Sequence, residues 1–548
     1  MDLPASGVAS VTPYLPRLVV TWLSDGPEQR WREVEGTIAF VDISGFTKLS
    51  ERLAKRGKVG AEELTDTIDG CFAELLSVAY ANGGGLLKFG GDALLLLFTG
   101  PGHEARACQA AVGMRRTLRD IGRLEIADQH VQLRMSIGVN SGTFQFFLVG
   151  SSHRELIVTG PAASTTVTME ATASAGEIVV SEETAGALGR GVVGSAKGPG
   201  YLLRRAPSDS AEWLEELPQG SGADLIQCIP VALREDILAR SHEAEHRRAT
   251  IAFLHFDGTD GLISALGADE AAVRLDDLVC KVQHAVDQHQ IVFLGSDVDR
   301  DGGKIILAAG ARTNSGDDER RMLLALREIM DHDPAVPVRV GVNRGPVFAG
   351  NIGPPYRRTF TVMGDAVNLA ARVMARAAPG QILATEDVIE RCPGGFEAVA
   401  LEPFLVKGKA KPVHAHAVGS AIRANGRHVR SELPLIGRDD ELGILLDALD
   451  FSRAGVGQVV ELVGEPGVGK SRLVEELRRH AEGMQLHSIS CDAYESSTPY
   501  FPFRGFLQAL LHLTECPPKD TAVTRLGEEL GLHTPALLPW APLLAALL

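Results

Sequence analysis

The 548-residue sequence predicts an α+β fold built twice, followed by part of an α/β nucleotide-binding module. Three observations carry this. A segment of roughly 170 residues, a full domain in size, occurs twice. Each copy interleaves β-rich apolar runs with amphipathic helical stretches. Further on, GEPGVGKS at 464–471 fits a phosphate-binding loop.

The repeat is legible in four places. GVNSG at 138–142 returns as GVNRG at 341–345, and IVTGPA at 157–162 as TVMGDA at 361–366. SAGEIVVSEET at 174–184 returns as APGQILATEDV at 378–388, and TIAFVDISG at 37–45 as TIAFLHFDG at 250–258. In the first copy GTIAFVDI reads as a strand, and 47–56 and 61–82 as helices. LLKFGGDALLLLF reads as a hairpin turning at Gly90-Gly91-Asp92, 103–122 as a helix and QLRMSIGVN as a strand. The expected division is an N-terminal segment 1–35, a first domain 36–204, a helical connector 205–247 and a second domain 248–420. A basic linker 421–433 and a partial P-loop domain 434–548 complete it.

Composition narrows the partners. Apolar residues make up 45% and the net charge is −16, so wholesale disorder is excluded and the overall field disfavours nucleic acid and anionic membrane. Seven cysteines without a CxxC pair read as reduced intracellular thiols. With no basic leader and no apolar run long enough to span a bilayer, a cytoplasmic location is expected.

Asp42 closes an apolar strand and is followed by SGFT, a small-residue turn that aims backbone N–H groups outward. Asp92 follows at the hairpin tip. Singly, the first reads as a helix cap and the second as a turn residue. Together with the turn they are what two-metal phosphoryl-transfer chemistry requires.

FVDISGFTKLS and KFGGDALLLLF resemble the class III nucleotidyl cyclases, as do VRVGVNRGPVFAGNIG, TVMGDAVNLAARV and VKGKAKP in the second copy. The tandem arrangement before an ATPase module is similar to the soluble type of adenylyl cyclase and its bacterial relatives. The resemblance implies ferredoxin-like βαββαβ cores in a pseudo-twofold, head-to-tail intramolecular pair with sites between the copies. It implies ATP as substrate and two Mg²⁺ ions, with Mn²⁺ as the alternative. By the same resemblance Asp42 and Asp92 are the metal carboxylates, with the Ile43 carbonyl as a further ligand. Phe46 and Thr47 cradle the β- and γ-phosphates, Lys407 binds phosphate and Thr361 reads the base. Asn368 orients the ribose, and Arg372, one helical turn on, stabilises the α-phosphate in flight. A base-reading lysine is expected near Arg300, with Lys304 in the same stretch.

The copies depart from the pattern in opposite ways. Counting across the repeat, His255 falls where Asp42 stands and Lys304 where Asp92 stands. Ser164 and Thr168 fall where Asn368 and Arg372 stand. One complete site is therefore expected, and one degenerate pocket. The reading is an adenylyl cyclase forming cyclic AMP and pyrophosphate. The rival is a nucleotide-sensing regulatory protein coupled to the ATPase module.

In that module QVVELV reads as the strand before the loop and RLVEELRRHAEG as the helix after it. Gly464 and Gly469 frame the loop, Lys470 is the β/γ-phosphate ligand and Ser471 the Mg²⁺ ligand. No second metal-site strand follows before LLAALL, so further C-terminal domains in a longer protein are expected.

Overall fold

Helix α1 (Arg17–Asp25) leads into strand β1 (Trp31–Ser44), the central strand of the first copy. The structure is a computed structural model describing residues 11–422 and 437–545. The exceptions are 46–48, 50–52, 54–56, 127–128, 190, 209–223, 240–244, 313–316, 393, 407–410, 465–468, 482, 485, 487–488, 490–502, 504–506 and 508–518.

The first copy continues through α2 (Gly57–Ala81), β2 (Gly84–Gly90), β3 (Ala93–Thr99), α3 (His103–Ile121), β4 (Arg134–Val149), β5 (Glu155–Thr159), α4 (Pro161–Thr172), β6 (Ile178–Val180), β7 (Val193–Lys197) and β8 (Gly200–Leu203). Its eight-stranded sheet runs β2-β3-β1-β4-β6-β8-β7, with β5 paired to β4. The connector holds α5 (Val231–Ala239). The second copy repeats the plan: β9 (Glu245–Asp257), α6 (Thr259–Gln288), β10 (Val292–Asp299), β11 (Gly302–Ala309), α7 (Asp318–Asp331), β12 (Val338–Ile352), β13 (Thr359–Met363), α8 (Asp365–Met374), β14 (Ile382–Thr385), β15 (Phe396–Ala400) and β16 (Ala415–Ala421). Its sheet order, β10-β11-β9-β12-β14-β16-β15 with β13 on β12, matches the first. Strand β9 begins at Glu245, so the connector is shorter than the sequence reading made it.

The unbroken apolar run of β3 has a packing reason. Leu94, Leu96 and Phe98 face α2 and α3, in one core with Phe72, Leu75 and Met114. Leu95 and Leu97 point to the opposite face, into a second core shared with Phe253, Val347 and Phe360 of the other copy. A strand covered on both faces loses the polar alternation of a half-exposed one. Residues 11–422 thus fall within one compact unit, in which the two sheets share a core.

The recurring GVN motif is structural. A Cβ on Gly341 would lie 2.6 Å from the Ala370 carbonyl oxygen, and one on Gly138 would lie 2.7 Å from that of Thr166. Glycine lets α8 and α4 press against their strands. Asn343 Nδ2 donates to the Ala366 carbonyl at 2.8 Å, and Asn140 Nδ2 to Ala162 at 2.9 Å. The motif thereby fixes the first turn of each helix.

The unit beginning at 424 is described by itself. It contains α9 (Asp439–Arg453), α10 (Lys470–His480) and α11 (Lys519–His533). The expected strand QVVELV is not formed: 458–463 has no regular structure, and Val459 is 99% exposed. Among the described residues this unit holds no strand, so the run has no ladder partner.

Candidate active site

Asp42 occupies the last turn of the pleat in β1, paired with Ala93 on one side and Ser136 on the other. The β2–β3 hairpin turns where expected, with Gly91 at φ +71°. The amide of Ile43 donates to the Asp92 carbonyl at 3.2 Å, which ties the hairpin tip to the end of β1. Burial pushes the Asp92 carboxyl up to about 7, and Asp42 and then Asp297 of the second copy push the same way. Nearby Glu170, which accepts from Ser136 Oγ at 2.8 Å, is raised to about 6 by burial. A carboxylate pair that resists its own negative charge suits hard divalent cations. Among the described residues no three His, Cys, Asp or Glu groups form a metal cage by themselves. A hard cation held by two carboxylates and a carbonyl keeps coordination places for water and phosphate oxygens. Phe46 and Thr47 lie outside the described residues, as does Lys407.

On the second copy, α8 carries Asn368 and Arg372, both half-buried, four residues apart. Thr361 lies on β13 opposite Gly350. The β12–β13 hairpin leans on the first copy: the Gly353 amide donates to Asp69 Oδ1 at 2.7 Å, and Arg357 Nη2 to the Leu87 carbonyl at 3.1 Å.

The ladder corrects the register of the second hairpin. Thr37 pairs Phe98 where Thr250 pairs Ala309, so β3 maps onto β11 with an offset of 211. Lys304 therefore takes the place of Ala93, and Gly303 that of Asp92. Lys88 pairs Leu95 as Gly295 pairs Ile306, so Gly295 stands at the expected base-reading position. Residues 298–301 lengthen the second hairpin, and the count by sequence alone slipped there. Arg300 instead lines an open pocket of about 660 Å³ with Ser164, Thr168, Asp260 and Asp301. That is the degenerate side, where Ser164 Oγ accepts from the Asp301 amide at 2.7 Å.

Lys304 Nζ meets Asp299 Oδ2 at 2.9 Å, and His255 Nε2 lies 3.3 Å from the same oxygen. Burial alone would raise the Asp299 carboxyl, but His255 and Lys304 outweigh it and hold it well below the usual range. The second strand end thus carries His255 and the Lys304 ammonium, both against Asp299, where the first carries carboxylates.

Sequence reasoning missed a cross-copy cluster. Lys88 Nζ donates to Glu155 Oε1 at 2.7 Å and to the Oγ and carbonyl of Ser296 at 2.7 and 2.9 Å. The Ser296 amide and hydroxyl both donate to Glu155 Oε1, at 2.8 and 2.7 Å. Three segments far apart in the chain meet here, and no local pattern announces them.

In the P-loop unit Gly469 caps α10 at φ +98°, and Lys470 Nζ donates to the Gly464 carbonyl at 2.7 Å. Ser471 follows in the first turn of the helix, and 465–468 lie outside the described residues.

The adenylate and guanylate cyclase catalytic domain family matches residues 28–200 and 242–418, and the AAA ATPase domain family matches 434–541. The chain belongs to the adenylate and guanylate cyclase catalytic domain family, whose members are divalent-metal dependent, and it carries an ATPase module after the tandem pair. Adenylate cyclase type 10 of Homo sapiens is 23% identical over 575 aligned positions, covering 93% of this chain and 35% of that protein. An adenylate cyclase of Mycobacterium tuberculosis is 36% identical over 99 residues, 18% of this chain and 22% of that one. The chain spans about a third of the length of the type 10 relatives. A solved class III adenylyl cyclase-like ATP-binding protein from Pseudomonas aeruginosa is 13% identical, with 66% of this chain and 85% of that one covered and a TM-score of 0.46. No helix among the described residues is long and apolar enough to cross a membrane.

Proposed function

We propose that the paired copies form an adenylyl cyclase, converting ATP to 3′,5′-cyclic AMP and pyrophosphate at one site with two Mg²⁺ or Mn²⁺ ions. One observation carries this reading. Asp42 and Asp92 meet at a strand end in the first copy, whereas the asparagine–arginine helix face belongs to the second. The pseudo-twofold relation supports their convergence. Ser164, the counterpart of Asn368, bonds the tip of the second copy's hairpin, so Asn368 belongs beside the first copy's hairpin.

Asp42, Asp92 and the Ile43 carbonyl hold the cations. Bound there, the ions supply Lewis-acid charge to the attacking and leaving oxygens. Asn368 orients the ribose so that its 3′-oxygen, on losing its proton, attacks the α-phosphorus as the bond to the pyrophosphate oxygen breaks. Arg372 meets charge growing on the α-phosphoryl oxygens. Phe46, Thr47 and Lys407 hold the pyrophosphate end, and Thr361 faces the base. Arg300 and Lys304 take no part.

The test is incubation of the purified chain with ATP or GTP and either metal, followed by identification of the product. Cyclic AMP lost in Asp42→Asn and Asp92→Asn supports the reading. Cyclic GMP alone overturns the substrate, and no cyclic product under any combination overturns the activity. One observation favours the nucleotide-sensing rival: Gly295 cannot hydrogen-bond a base through a side chain.

A further inference from the structure

Where the two copies meet the N-terminal segment and the connector lies a half-open cavity of about 120 Å³. Leu15, Val19, Leu87, Leu156, Leu233 and Ile237 are among its apolar lining residues, and polar and apolar atoms share the lining about equally. Arg154 and Arg357 also line it.

Arg357 is 5% exposed. Its Nη1 donates to the carbonyls of Pro13 and Arg358 at 3.3 and 3.0 Å, and its Nη2 to that of Leu87 at 3.1 Å. The guanidinium stands 5.6 Å from the centre of the Phe89 ring. Each of these partners is neutral, and no carboxylate among the described residues pairs with Arg357. Its Nε is buried with no acceptor. Arg154 repeats the situation: Nη2 donates to the Leu148 carbonyl at 3.1 Å, and Nε is buried without an acceptor. Lys88 lines the same cavity, but its ammonium is neutralised by Glu155 at 2.7 Å.

A charge removed from water is costly unless a counter-charge and hydrogen bonds compensate it. Burial pulls Arg357 down to about 10, so it still carries its charge at neutral pH. Three of its five N–H groups are used, which leaves one on Nε and one on Nη2. The volume corresponds to about four liquid waters, which suits a short-chain or single-ring acid.

We infer that this cavity binds a small organic carboxylate, its apolar body among the leucines and its anion on Arg357, with Arg154 as the second cation. A monoanion is favoured over phosphate, because a second charge would have to be desolvated against the leucine side chains of the lining. Both copies, the N-terminal segment and the connector supply the walls, so an occupant stabilises their assembled arrangement by linkage. The site is separate from the carboxylates at Asp42 and Asp92 and does not depend on the reaction proposed for them.

The test is titration calorimetry of the full chain with benzoate and butyrate, and with inorganic phosphate in parallel at constant ionic strength. One saturable site is expected for at least one of the two acids. Arg357→Met should weaken it by about tenfold or more. The unliganded Arg357→Met protein should melt no lower than the parent, since it loses a charge that had no counter-ion. Arg154→Met should also weaken binding, and it decides the matter if the first variant does not fold. No saturable binding of either acid, unchanged affinity in the folded variants, or binding of phosphate alone would overturn the proposal.

Discussion

His153 lies at 2% exposure, with its ring edge-on to Phe293 and its Nε2 without a hydrogen-bond partner. Burial lowers its pKa to about 4, and Arg234 and Lys88 add to this while Glu155 opposes it. The folded value is below the ordinary 6.5, so the fold favours the neutral ring. Its contribution to stability is complete above pH 6.5 and is lost as pH falls toward 4, by up to about 3 kcal/mol. The melting temperature of the parent should therefore fall more steeply between those values than that of His153→Phe. Equal slopes would place the acid sensitivity elsewhere. At the same scale, Arg372→Ala should lower kcat by about 10²-fold with little change in KM, because its charge acts on the transition state. A rise in KM alone would make it a ground-state contact. Asp42 and Asp92 were legible because one lies near the end of an apolar strand and the other at the turn of an apolar hairpin. Arg357 was not, since nothing local marks an arginine that will lack a counter-ion.

The two glycine–helix contacts separate structure from chemistry at the level of elements. In Gly341→Ala the new methyl meets Met374 and Ala370 of α8, and in Gly138→Ala it meets Glu170 and Thr166 of α4. Each should lower stability by about 1–3 kcal/mol through overpacking. Only Gly341→Ala displaces the helix carrying Asn368 and Arg372, so it should lower kcat per folded molecule well beyond Gly138→Ala, which shifts Glu170 instead. Parallel melting curves and steady-state rates decide this, and equal kcat losses in the two variants would contradict it. The first hairpin was readable because its turn glycines and apolar arms adjoin. The second was misread because residues 298–301 extend it by an amount that no residue type reveals. QVVELV failed as a strand for a different reason: periodicity supplies an apolar run, whereas a strand also needs a neighbour.

Over the whole molecule, the halves of the proposed site lie in one chain, and each copy lacks what the other has. Mixing Asp42→Ala with Arg372→Ala protein should not restore turnover, whereas His255→Ala should leave kcat within a few-fold. Recovery on mixing would mean that copies pair between chains. The repeat made the paired architecture visible in the sequence. The shared core did not show, because Leu95, Leu97 and Phe360 look like ordinary core residues until the two sheets meet.

The Lys304–Asp299 ion pair, with His255 beside it, makes the two strand ends differ in what they need from solution. One half brings its own positive charge, whereas the site proposed in the other would borrow it from dissolved ions. A chelator should therefore loosen only the borrowed half. Amide exchange should quicken around residues 42–45 and 90–93, while 255–257 and 299–304 keep their protection. A molecule that began as two equal halves would thus report the ionic state of its surroundings through one of them alone.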